Sequence, residues 1–179
     1  MPVSSNVRPR IQRHPLPAAS ARMAFHDFEF QDTAQTLRQG LSEYFDKNPS
    51  LKRNAELSAQ AREFFRCHDT VHVLYGCGTT MPDEAIVKLS SIAGTTGGLS
   101  ILKGYMLHDT IDIYAKLPPL GTVFAILIAP FLIIRTLWRC SRQSKQWPWM
   151  DNDHFNDISL QSIRQEFRIK VAHQQKRDA

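Results

Sequence analysis

Apolar positions recur along this chain at intervals of three and four residues, the period of helices with one buried face. Leu37, Leu41 and Tyr44 mark a first helix, expected over 32–44 and broken at Asn48-Pro49. A second runs from about 55 to 74. Leu57, Ala61, Phe64, Phe65, His68, Val71, His72 and Tyr75 form its inward face, and Gly76 and Gly78 close it. Thr80 with Asp83 three residues on approaches a capping box, and Pro82 suits a first helical turn, so a third helix starts there. It continues through Ile86, Val87 and Leu89 to the glycine-rich 94–98, which is no phosphate loop because no Gly-Lys-Ser/Thr follows. A fourth helix, 99–116, carries Ile101, Leu102, Tyr105, Met106 and Ile113 and stops at Pro118-Pro119. A last amphipathic helix starts near Ser159 or Ser162, with Leu160, Ile163, Phe167 and Val171 on its docked face. No hairpin signal interrupts this pattern. The expected fold is all-α: a single-domain helical bundle over 25–179 behind a flexible basic tail, 1–24.

The run 117–134 departs from the amphipathic pattern, with no charge over eighteen residues. That length is at the lower limit for a membrane span. Two prolines open the run and Pro130 interrupts it, which favours a helix lying in the interface over one that crosses, with a buried core helix as the third possibility. Arg135, Arg139, Arg142 and Lys145 follow without an acid, and Trp138, Trp147 and Trp149 suit an interfacial belt. The segment 117–138 is therefore expected to associate with a membrane peripherally.

Charge sharpens this reading. The net charge is +5, concentrated in that cluster and in the acid-free tail with Arg8, Arg10, Arg13 and Arg22. The apolar neighbourhood of the second cluster points to a lipid surface and away from nucleic acid. The Arg- and Ser-rich tail fits an organellar transit peptide or a bacterial tail equally, although its prolines oppose a long amphipathic presequence helix. Three cysteines without a CxxC pair argue against a disulfide framework and for a reducing compartment.

The candidate chemistry lies in 68–84, HDTVHVLYGCGTTMPDE. On a helix, His72 lies about 40° round from His68 and Asp69 about 100°, so the three share one side. A short loop makes the second and third helices antiparallel neighbours and returns Glu84 to that side. Two imidazoles and two carboxylates make a mixed nitrogen and oxygen site for a divalent metal, zinc first, with iron, manganese and magnesium open. His68-Asp69-x-x-His72 is one methylene short of HExxH and lacks a third histidine at metzincin spacing, which disfavours a peptidase. His108-Asp109, with Asp112 one turn on, offers an HD-type metal phosphohydrolase as a lesser alternative. Only His14 and His26 precede His68 to complete such a site. Cys67 has no base beside it and reads as a small buried side chain.

His68-Asp69-x-x-His72, eleven residues, then Glu84 resembles the signature of the Coq-four family of ubiquinone (coenzyme Q) biosynthesis proteins. The string AREFFRCHDTVHVLYGCGTT is similar to that family's segment around the motif, and IRQEFRI to its closing arginine-glutamate helix. The resemblance covers roughly 32–115 and 159–170. The chain departs from the family in a shorter region before the motif helix and in the longer apolar run 117–138, as a divergent member would. The resemblance implies an all-helical, membrane-peripheral protein with metal ligands His68, Asp69, His72 and Glu84. It implies oxidative decarboxylation of a polyprenylated benzoate-type quinone precursor, a lyase-type activity, together with organisation of the other ubiquinone-biosynthesis proteins. It also implies a location at the cytoplasmic face of a bacterial inner membrane or, alternatively, the matrix side of the mitochondrial inner membrane. The competing class is a non-catalytic prenyl-lipid carrier or scaffold with a structural metal.

Overall fold

The computed structural model describes residues 26–51, 58–106 and 119–173. Six α-helices stand among them: α1 Leu37–Lys47, α2 Ala59–Tyr75, α3 Met81–Gly94, α4 Ile101–Met106, α5 Pro119–Ser141 and α6 Leu160–Phe167. The described residues contain no β-strand, only two isolated bridges, Thr36 with Ser159 and Thr95 with Trp147. The tail 1–24, the expected start of the second helix at 55, the end of the fourth at 116 and the group His108, Asp109 and Asp112 lie outside the described residues.

Side-chain caps set the helix starts. Thr36 accepts from the Gln39 amide in a reciprocal capping box, so α1 begins at 37 and not at 32. Ser58, Thr80 and Ser159 accept from the amides of Ala61, Asp83 and Ser162 and start α2, α3 and α6. Gly76 ends α2 in the left-handed conformation, φ 61°, where a side chain on the residue would be strained. Gly40, inside α1, lets α2 approach: a Cβ there would stand 2.7 Å from Val73 Cγ1. That close packing offsets the helix propensity lost by a mid-helix glycine.

α2 packs between α1 and α3, and α5 lies along α3. Leu37, Tyr44, Val71, Leu74, Val87, Leu160, Ile163 and Phe167 share one buried apolar cluster. Two of the tryptophans expected at a membrane interface belong to this core instead. Trp147 is fully buried, Trp149 nearly so, and only Trp138 is exposed. The Trp147 amide donates to Gly94 O at 2.9 Å and its carbonyl accepts from Thr96 N at 2.9 Å. These bonds pull residues 147–149 across the end of α3, where the Trp147 ring meets Phe167. Among the described residues no helix is long and apolar enough to cross a membrane. The three cysteines are free and buried. Burial pushes the Cys67 thiol up to about 12.

One buried cation ties the N-terminal segment to α2. Arg164 on α6 is 1% exposed. Its Nε donates to Leu74 O at 2.9 Å, Nη1 to Phe30 O at 2.6 Å, and Nη2 to Phe28 O at 2.6 Å and Val73 O at 2.8 Å. Two of these carbonyls belong to the last turn of α2, the negative end of its dipole, so the positive charge is well placed there. Beyond α6 the chain returns over the same turn: Ala172 N donates to Tyr75 O at 2.7 Å.

Candidate metal centre

His68 and His72 are one turn apart on the buried face of α2, and Glu84 is in the first turn of α3. Their Nε2 atoms are 3.1 Å apart. Glu84 Oε1 lies 3.2 Å from His72 Nε2, and Oε2 lies 3.6 Å from His68 Nε2. The three ligand atoms fall within 4.8 Å of one another, so the group could hold a metal ion. The i, i+4 spacing points both rings one way, and the short Gly76–Thr80 connection folds α3 back to bring in the carboxylate.

The outer nitrogens fix the rings. His72 Nδ1 is 2.9 Å from Gly78 O. A carbonyl can only accept, so His72 carries its proton on Nδ1 and, when neutral, turns the Nε2 lone pair inward. His68 Nδ1 is 2.9 Å from Tyr105 Oη. Phe64 stacks on the His68 ring at 6.2 Å between centroids, and Tyr44 lies 5.1 Å from that of His72. Histidines that bind metals through one nitrogen commonly have the other held this way. Three possible ligand atoms thus converge in a largely buried place, an arrangement that needs a cation or a bridging proton between the facing lone pairs. A divalent ion meets that need, as does a proton shared between the imidazoles and Glu84. Burial raises the Glu84 carboxyl, but the facing His68 and His72 rings, where they carry a proton on Nε2, outweigh it and hold the carboxyl well below the usual carboxylate range.

Three of the four residues expected from sequence come together. Asp69 is buried on α2 but is not in the converging group; the 100° step along the helix carries it off the seam that His68 and His72 share. Its α3 counterpart, Asp83, also turns elsewhere. Oδ1 lies 2.6 Å from His173 Nε2, and Oδ2 accepts from Thr80 Oγ1 at 2.7 Å. His26, one of the two histidines available to complete an HD-type site, lies 3.6 Å from Glu43 and stacks on Phe28, outside the converging group. Sequence reasoning placed Tyr105 only on an apolar helix face. Its bond to His68 spans 37 residues, and no local pattern announces such a contact.

Searches of family models, curated proteins and solved structures return no match to this chain. Fold and site therefore define the class directly: a helical protein with a histidine, histidine and carboxylate group able to take a divalent ion. Among the described residues, two imidazole nitrogens and one carboxylate converge, the number of protein ligands that a catalytic zinc site uses.

Proposed function

We propose that this protein is a metal-dependent enzyme of ubiquinone biosynthesis, related to the Coq-four family. Its proposed reaction is the oxidative decarboxylation of a polyprenylated benzoate-type precursor at a membrane surface. The observation that carries the reading is the convergence of His68, His72 and Glu84 with both outer ring nitrogens already engaged. The likeness of the sequence 68–84 to the family signature supplies the substrate class. In the proposed reaction the ring carboxyl leaves as carbon dioxide, water supplies the hydroxyl oxygen that replaces it, and dioxygen takes up the two electrons and two protons released and leaves as hydrogen peroxide. A bound divalent ion supplies Lewis acidity beside the carboxylate, and a redox couple if it is iron or manganese. The protein's own part is positional. Gly78 and Tyr105 keep the imidazoles from rotating, and Phe64 and Tyr44 exclude water from their faces. Glu84, partly open to solvent, completes the donor set with a full negative charge.

The test uses the purified full-length protein, analysed for bound metal and incubated with a carboxylated prenylphenol under air. The wild-type protein is expected to retain a divalent metal and release carbon dioxide, and His68→Ala with His72→Ala to do neither. If Glu84→Ala keeps its metal and leaves quinone production in cells unchanged, the catalytic reading fails and a carrier with a structural ion takes its place.

A further inference from the structure

The outer face of α5 is apolar and basic together. Phe131, Ile134 and Trp138 are 62%, 69% and 58% exposed. With Arg135 they fall within about 100° of one another around the helix, and Arg142 follows directly after its last residue. Thr136 and Cys140 on the opposite side are buried, while Ile133 and Leu137 between are 40% and 44% exposed. Arg135 lies over the Phe131 ring at 6.0 Å and Arg142 over the Trp138 ring at 5.0 Å, so each cation crowns an exposed aromatic ring. Where α5 ends, this face opens into a groove of about 630 Å³ between α5 and α6, lined by Asp32, Trp138, Arg139, Arg142, Arg168 and Lys170 among others. Among the described residues, no carboxylate forms an ion pair with Arg142, Arg168 or Lys170. Arg139 spends one donor on Ala172 O at 2.8 Å. Arg164 forms part of the same wall with its charge already committed to carbonyls. Arg168 caps α6 with φ 55°, a left-handed position where glycine or asparagine is usual. The fold thus accepts local strain at the point where it presents that guanidinium.

We propose that this groove binds the phosphate of an anionic phospholipid while the Phe131, Ile134 and Trp138 stripe sinks into the adjoining acyl boundary. The argument for this occupant is charge complementarity combined with shape. A cationic groove alone would suit any phosphate, and an apolar stripe alone would suit any greasy partner. Their continuity on one face matches a bilayer surface, with headgroup charge beside hydrocarbon. The site deepens the membrane part of the proposed function, identifies which face meets the lipid, and is independent of the metal.

The test is co-sedimentation of the full-length protein with vesicles of phosphatidylcholine alone and of phosphatidylcholine mixed with phosphatidylglycerol. Trp138 fluorescence is followed in parallel. Binding is expected to the mixed vesicles only, with a blue shift that Trp138→Phe abolishes while the buried Trp147 and Trp149 remain as a constant background. Combined Arg142→Gln, Arg168→Gln and Lys170→Gln should weaken binding about a hundredfold, since each cation near an anionic surface contributes about fivefold. Phe131→Ser with Ile134→Ser should remove binding at moderate salt. Both sets are surface changes, and unchanged circular dichroism checks their folding. The Ala variants of His68 and His72 should bind vesicles as wild type does, which separates this site from the metal reading. Three outcomes overturn the proposal: equal binding to both vesicles, inorganic phosphate held in the groove without vesicle binding, or a dimer in solution that Ile134→Ser dissolves.

Discussion

Replacing Arg164 tests how the site is supported. The guanidinium donates to four backbone carbonyls, of Phe28, Phe30, Val73 and Leu74. Burial lowers its pKa to about 10, so it remains a cation at neutral pH. Arg164→Met keeps much of the apolar volume and removes every donor. Val73 O also accepts from Gly76 N and Phe30 O from Thr33 N, each at 3.3 Å, so those two acceptors stay partly satisfied. A buried acceptor left without a partner costs about 1–3 kcal/mol. With part of the loss offset because no charge need be desolvated, the net destabilisation is about 3–4 kcal/mol. For a domain of this size that lowers Tm by about 6–16 °C, read by circular dichroism during thermal unfolding. Arg164→Lys keeps the charge, but its point-like ammonium cannot span four carbonyls, and its Tm should fall between the two. Metal affinity should fall with stability, because Val73 directly follows His72. A Tm within about 2 °C of wild type for Arg164→Met would refute the argument that this cation holds the end of α2.

Three further outcomes follow from the same geometry. Tyr105→Phe keeps the ring against Phe64 but removes the oxygen from His68 Nδ1, so metal affinity measured by chelator competition should drop about 10–100-fold; unchanged affinity would mean that Tyr105 does not orient the ligand. Gly76→Ala places a Cβ at φ 61°, 3.0 Å from Val171 Cγ1 and 3.2 Å from Glu29 Cα, and should cost about 1–2 kcal/mol in urea unfolding, whereas a neutral result would mean that the turn relaxes freely. Stability should also fall as pH rises through neutrality. Burial, with Asp83 beside it, raises the Glu29 carboxyl from its ordinary 4.5 to about 7, so the folded state keeps a proton that the unfolded chain has released, and stability declines between those values. The hydrogen bond to Asp83 raises His173 above its ordinary 6.5, adding stability that is present below that value and lost as pH climbs past the raised one. Glu29→Gln should therefore raise Tm near pH 8 and change it little near pH 5; equal shifts at both would exclude Glu29 as the source.

What could be read from the sequence divides by distance along the chain. The α2–α3 hairpin and its three converging side chains, His68, His72 and Glu84, are local, set by an i, i+4 pair, a left-handed Gly76 and a Thr80 cap within seventeen residues of one another. Short-range periodicity therefore reaches them. Asp69 shows the limit of that reasoning, since a place on the same broad side of a helix is not a place on the seam the two histidines share. The support of the site is remote. Arg164 reaches back 136 residues to Phe28, Ala172 seats on Tyr75, and His173 holds Asp83 beside Glu84. Each of these residues looks like an ordinary polar or small position in its own window, and Trp147 and Trp149 resembled interface residues for the same reason. Only the return of the C-terminal segment over the α2–α3 turn gives them their roles. The adjacent carboxylates Asp83 and Glu84 connect the two scales, one turned to the C-terminal histidine and the other to the imidazole pair. The first turn of α3 is thus held from both sides, and loosening the C-terminal hook should be felt at the candidate metal centre without touching His68, His72 or Glu84.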